Sequence, residues 1–407
     1  MTLPDAVLSL PIAPLLPELV DALGRAHKVV LEAPPGAGKS TGAPLALLDA
    51  GWLRGKNILM LEPRRLAARA IATRMATLRG EVVGRTVGYR TRLDTQVSRE
   101  TRLTVVTEGV LTRMLQSDPA LEDTGLVIFD EFHERSLNAD LGLALCLDAR
   151  ETLREDLRLL VMSATLDTAP VARLLGDARI LSSEGRAYPV ETRHLSRPDA
   201  AGLVAATARA VRGALECDQG DVLVFLPGAA EIRRVERQLI EGALPTGVAV
   251  HALYGDLPPS EQDAALAPAA PGRRKVVLAT SIAETSLTIE GVRVVVDAGL
   301  ARSARFDPVT GMSGLVTTRV SRAAADQRRG RAGRLGPGVC YRLWPEEETR
   351  SLEPATPAEI LNADLAPFAL DLAAWGIDDP ASMRLLDPPP SATLAQARDL
   401  LRRLGAL

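Results

Sequence analysis

Cysteine is nearly absent from this sequence, at positions 146, 217 and 340 only. An odd number at wide spacing excludes a disulfide framework and a cysteine zinc site, and predicts a reducing, cytoplasmic location. No apolar run approaches 18 residues, so no membrane span is expected. Met1 to Leu10 lack the basic start of a signal peptide. Charge of one sign is not in excess, with a net charge of −3. That excludes a wholesale basic surface, and any contact with nucleic acid has to come from local clusters. Aromatics make up 3% of the chain, although the apolar fraction of 46% is ordinary for a globular protein. Lysine occurs at 28, 39, 56 and 275, and the other basic residues are arginine. In so arginine-rich a chain an arginine cluster by itself carries little weight. The 407 residues suffice for two or three domains.

What is present begins with residues 33–41, Ala-Pro-Pro-Gly-Ala-Gly-Lys-Ser-Thr. The apolar run Val29-Val30-Leu31 leads in, and a helix-compatible stretch from Ala43 to Asp49 leads out. Gly36 and Gly38 can adopt backbone angles that aim several N–H groups at one point. The following helix start adds unpaired donors and a positive dipole end, which makes an anion site. In such a turn Lys39 bridges the outer two phosphates and the Ser40 hydroxyl ligates Mg²⁺. The usual pattern opens with glycine, and Ala33 stands there instead. The bland alternative is an ordinary glycine-rich turn.

Strands and helices then alternate, which predicts an α/β fold with parallel sheets covered on both faces and ligands at the carboxyl ends of strands. Pro14 to Leu23 reads as a helix. Ile58–Leu61 is a buried strand ending in Glu62-Pro63-Arg64-Arg65. These two arginines could grip a backbone phosphate or be solvated helix-start residues. Leu103–Val106 ends in Thr107-Glu108-Gly109. Leu126–Phe129 delivers Asp130 and Glu131 to the same edge, where the first acid would hold Mg²⁺ and the second polarise the attacking water. Arg158–Met162 ends in Ser163-Ala164-Thr165. Alternation restarts near Ala200, without a second phosphate turn. Asp307-Pro308-Val309-Thr310-Gly311 predicts a β-hairpin over 302–319, either a plain edge hairpin or a wedge near bound strands. Gln327 to Arg334 holds four arginines in eight residues, which need an anionic partner. Spacing of three puts Arg331 and Arg334 on one helical face, as arginine fingers or as a generic basic patch. After Pro345 the pattern is helical, with helices expected from Thr356-Pro357, over Ala366–Trp375 and over Thr393–Leu404.

Taken in order, Gly36–Thr41, Glu62–Arg65, Thr107–Gly109, Asp130–His133, Ser163–Thr165, Thr280–Thr288 and Gln327–Arg334 resemble the motifs of superfamily 2 helicases of the DEAH/RHA type. The resemblance covers Pro14 to Leu407. It implies two tandem RecA-like domains, 1–182 and 183–345, followed at 346–407 by the start of a mostly helical winged-helix domain, with further domains missing. It implies ATP, with Mg²⁺ held by Ser40, Asp130 and Glu131. Gly36, Ala37, Gly38, Lys39, Ser40 and Thr41 would bind the nucleotide phosphates. Lys39, Glu131, His133, Gln327, Arg331 and Arg334 would form the catalytic set. Glu131 would be the base, Gln327 would place the water and the two arginines would contact the γ-phosphate. Single-stranded nucleic acid, RNA rather than DNA, would touch Arg64, Arg65, Arg92, Thr107 and Thr285. Three departures stand out. Phe132 replaces alanine of Asp-Glu-Ala-His, Ser281 replaces an asparagine, and the base clamp pairs Arg74 with Leu266 rather than with an aromatic. Weak stacking there implies loose nucleotide selectivity. A monomeric, membrane-free ATP-dependent helicase is the expectation. A ribonucleoprotein-remodelling ATPase and a catalytically reduced binding adaptor are the alternatives.

Overall fold

The short aliphatic runs form strands that are buried on both faces, as parallel sheets require. In a computed structural model, residues 3–164, 168–185, 188–195, 202–242, 244–284 and 287–407 are described. They form two units. The first comprises Met1–Gly185, Ala304–Gly314 and Pro357–Leu407, and the second Arg186–Ser303 and Leu315–Thr356. Among the described residues no helix is long and apolar enough to cross a membrane.

The first unit holds an eight-stranded sheet: β1 Lys28–Glu32, β2 Asn57–Leu61, β3 Val87–Arg90, β4 Thr95–Gln96, β5 Leu103–Val106, β6 Thr124–Phe129, β7 Arg158–Ser163 and β8 Arg179–Ser182. Their order is β4-β3-β5-β2-β6-β7-β1-β8, parallel except for the β3–β4 pair. Register aligns Glu32 with Ser163, Leu61 with Phe129 and Leu61 with Val106. The motif residues that follow each strand therefore emerge along one edge of the sheet.

Helix Leu137–Thr152 buries eleven of its sixteen residues, so it is covered all round rather than on one stripe. One side meets the sheet core of Val127, Phe129, Leu159 and Val161; the same cluster continues into Ile360, Phe368, Leu372, Leu394 and Leu401. Residues 357–407, expected above to belong to a third domain, thus share the first unit's core. Two of the three predicted helices there are present, as Ala366–Ala374 and Ser391–Arg403. The one expected from Thr356-Pro357 is a single 3₁₀ turn, Glu359–Leu361. Its first backbone N–H is spent outward, on Arg135 O at 2.9 Å.

The second unit holds β9 Val190–His194, β10 Asp221–Phe225, β11 Val248–Leu253, β12 Arg274–Ala279, β13 Val292–Asp297 and, later in the chain, Gly338–Arg342. These six form one parallel sheet whose core includes Val222, Val224, Ile232, Leu278, Val294 and Val296. Strands Leu300–Asp307 and Met312–Arg319 pair on their own as the hairpin, with Gly311 at φ 68° closing its turn.

Candidate active site

After β1 the chain turns through Gly36 and Gly38, at φ 89° and 93°, a region that favours glycine. A Cβ on Gly38 would stand 2.8 Å from Leu10 Cδ1, so space as well as backbone angle demands glycine. Helix Lys39–Leu47 starts at once, with Gly38 as its cap and no side chain satisfying its first N–H groups. Ala37 is buried, and Ser40 and Thr41 are half-buried in that first turn.

Two strand spacings, roughly 10 Å, separate β1 from β6, with β7 between them. Lys39 spans that gap. Its Nζ lies 2.9 Å from Glu131 Oε1, and both residues are buried, at 4% and 3% exposure. Asp130 Oδ1 accepts the Glu131 N–H at 2.9 Å, while among the described residues its buried Oδ2 has no hydrogen-bond partner of ordinary geometry. Burial pushes the Asp130 carboxyl up to about 6; Lys39 and Ser40 pull it down and Glu131 pushes it further up. An orphaned, desolvated carboxylate oxygen beside a serine hydroxyl is a donor set that suits Mg²⁺. That ion takes one or two carboxylates and completes its shell with phosphates and water. Among the described residues no group of three or more His, Cys, Asp or Glu is placed to hold a metal by itself.

Glu131 sits at φ 50°, uncommon for a residue with a side chain. The 3₁₀ turn Phe132–Glu134 follows. His133 Nδ1 accepts the Ala164 N–H at 3.3 Å, which leaves the proton of a neutral ring to Nε2, and the same Nδ1 lies 3.5 Å from Glu131 Oε2. Burial lowers the His133 pKa; Lys39 acts in the same sense and Glu131 opposes it. The ring is therefore neutral, and it ties the acidic turn to the Ser163-Ala164 loop. Thr165 lies outside the described residues, as does Thr285.

In the second unit, Gln327 is half-buried on helix Arg322–Gly330. Arg331 is buried and donates from Nε to Glu284 O at 2.8 Å and from a terminal nitrogen to Leu287 O. Arg334 donates to the same Leu287 carbonyl at 3.2 Å. The spacing of three does bring this pair to one place. Both donate to carbonyls of the loop after β12. Arg328, one of the four arginines expected to need an anionic partner, is wholly buried between Asp297 Oδ1 at 2.7 Å and Glu284 Oε1 at 2.6 Å. An acid ending an aliphatic strand, as Asp297 does, was the available signal.

The expected strand-contacting residues differ in their engagement. One terminal nitrogen of Arg64 donates to both carboxylate oxygens of Glu134, at 3.1 and 3.2 Å. Arg65 and Arg92 are exposed, and Thr107 caps helix Glu108–Ser117 without a side-chain bond. Arg74 is exposed on helix Arg65–Leu78, and Leu266 ends helix Pro259–Leu266 half-buried. Two residues without an expected role also take part: Glu108 of the Thr107-Glu108-Gly109 motif, half-buried and bonded by Ser136 Oγ, and Arg135, which pairs with Asp140 and Asp387.

Residues 16–174 match the family model described as DEAD/DEAH box helicase, and residues 207–336 match the helicase conserved C-terminal domain. The chain is similar to ATP-dependent RNA helicase HrpB of Escherichia coli (strain K12). Identity is 52% over 399 residues, covering 98% of this chain and 49% of that protein. It resembles the crystal structure of Escherichia coli DEAH/RHA helicase HrpB with a TM-score of 0.94 at 52% identity, over 98% of this chain and 51% of that one. The crystal structure of E. coli DExH-box NTPase HrpB gives a TM-score of 0.87 at 52% identity, over 98% and 49%. The chain spans about half the length of these relatives.

Proposed function

The chain belongs to the DEAD/DEAH box helicases, and from that premise we propose that it hydrolyses nucleoside triphosphates with Mg²⁺ and uses the cycle to move along single-stranded RNA. The observation that carries the reading is the buried Lys39–Glu131 contact at 2.9 Å, made across β7 at the carboxyl edge of a parallel sheet.

The backbone N–H groups of residues 36–41 would cradle the phosphates and Lys39 would bridge the outer two. Ser40 and Asp130 would hold Mg²⁺, which supplies charge neutralisation between the phosphates. A triphosphate offers Lys39 a new anionic partner, which releases Glu131 to accept a proton from water. Neutral His133 holds that turn against Ala164 without taking a proton itself. Arg331 and Arg334, with Gln327 orienting the water, would complete the site from the second unit. Arg334 is the better test, because Arg331 braces the loop after β12 through two carbonyls and Arg334 through one.

Hydrolysis of ATP, GTP and UTP by this chain, with and without single-stranded RNA or DNA, is the direct test. Comparable rates with all three nucleotides and stimulation by RNA are expected. Arg334→Ala is expected to cut turnover about 10³-fold or more while nucleotide binding survives. Turnover within threefold of the parent would remove the finger assignment, and no hydrolysis at all would remove the motor reading.

A further inference from the structure

We infer that Glu359 and Asp387, which lie outside every motif, are positioning residues for the acidic turn that carries Glu131. This rests on the reading of that turn as the hydrolytic site. Two residues with side chains bracket the turn in left-handed backbone, Glu131 at φ 50° and Arg135 at φ 52°. Each such conformation is unfavourable for a residue with a side chain and persists only where surroundings impose it.

At the Glu131 end those surroundings are Lys39 and Asp130, and at the Arg135 end they come from residues 357–407. Glu359 grips the far end of the turn twice. Its N–H donates to Arg135 O at 2.9 Å, and its carboxylate accepts the Leu137 N–H at 2.8 Å. The Arg135 guanidinium is then shared between Asp140 Oδ2 at 2.9 Å, in the next helix, and Asp387 Oδ2 at 2.7 Å. Backbone and side chain of Arg135 are therefore both fixed from a segment more than 200 positions away in sequence. Three residues separate it from Glu131, through a 3₁₀ turn whose hydrogen bonds run Glu134 N to Glu131 O at 2.9 Å and Arg135 N to Phe132 O at 3.1 Å. A slip of the far end moves the near one, and a 1 Å misplacement of a reacting group can cost on the order of 10²-fold in rate.

The test compares Glu359→Ala, Glu359→Gln and Asp387→Ala in the full chain. Three quantities are read: amide hydrogen exchange over 132–137, turnover, and the Kd of a fluorescent ATP analogue, with Tm as control. Glu359→Ala should speed exchange at Leu137 about threefold to tenfold, the equivalent of one net hydrogen bond. It should lower turnover about tenfold or more, with Kd within twofold. Glu359→Gln, whose amide oxygen still accepts from Leu137, should stay near the parent. Asp387→Ala should behave like Glu359→Ala, more weakly. Unchanged exchange overturns the inference, as does faster exchange with unchanged turnover. Equal losses in the Ala and Gln variants, or a parallel rise in Kd, overturn it too. A parent chain that hydrolyses nothing would sink the hydrolytic reading instead; the exchange comparison then decides alone whether Glu359 holds the turn.

Discussion

Arg328 and Glu108 show how burial sets what a charged side chain contributes. Arg328 is fully enclosed, with Asp297 and Glu284 as partners and its guanidinium 5.0 Å from the Phe225 ring centre. Arg328→Met leaves Asp297 as an uncompensated buried charge, and a loss of about 3–5 kcal/mol in urea unfolding is expected. Arg328→Met combined with Asp297→Leu should recover much of it, whereas a single-variant loss below 1 kcal/mol would mean the pair is solvated. Glu108 is a carboxyl raised to about 7, first by burial, with Glu359 and Glu134 adding and Ser136 opposing. A raised acid favours its neutral form in the folded state. Its contribution is present in full below about pH 4.5 and is lost as pH rises through 7, a swing of about 3 kcal/mol. Glu108→Gln should therefore raise Tm by a few degrees at pH 8.5 and by much less at pH 5. Equal gains at the two pH values would contradict this sign.

At the level of elements, the phosphate turn was legible because its requirements are local: a strand, two glycines, a lysine and a helix start. The strands carrying Asp130 and Ser163 were legible for the same reason. Segments whose form depends on distant partners were not. Val190–His194, at the sheet's edge, and Gly338–Arg342, beside it, are short, half-buried strands with little sequence signal, and Glu359–Leu361 is a 3₁₀ turn whose first residue bonds Arg135 and Leu137 through its N–H and carboxylate. The helices after 365 had clear periodicity, but not the identity of what they cover. Since they share the core cluster of helix Leu137–Thr152, a chain ending at residue 356 should expose part of that cluster. It should elute as aggregate in size-exclusion chromatography or melt at least several degrees lower. A monomeric, equally stable short chain would show that the shared core contributes little.

Taken as a whole, the molecule is nearly neutral, so an interaction with a nucleic-acid backbone depends on a few exposed arginines rather than on net charge. Binding of a single-stranded oligonucleotide should weaken linearly on a log–log salt plot, with a slope of about −0.7 per neutralised phosphate. Arg65→Ala should reduce the slope by about that amount without changing sequence preference. Arg64→Ala should do so less, because its guanidinium is already committed to Glu134. A flat salt response would argue against a phosphate backbone as the partner.

By itself the sequence determined the alternating α/β pattern, the phosphate turn and the acids that follow β6, because each depends on residues adjacent in the chain. Tertiary structure alone decided which charges are satisfied. Lys39 meets Glu131, Arg328 meets Asp297, and Arg135 meets Asp387 across separations that no local period encodes. The physical reason is that burying a charge is unfavourable until a partner arrives, and that partner is supplied by the fold rather than by the neighbouring residues.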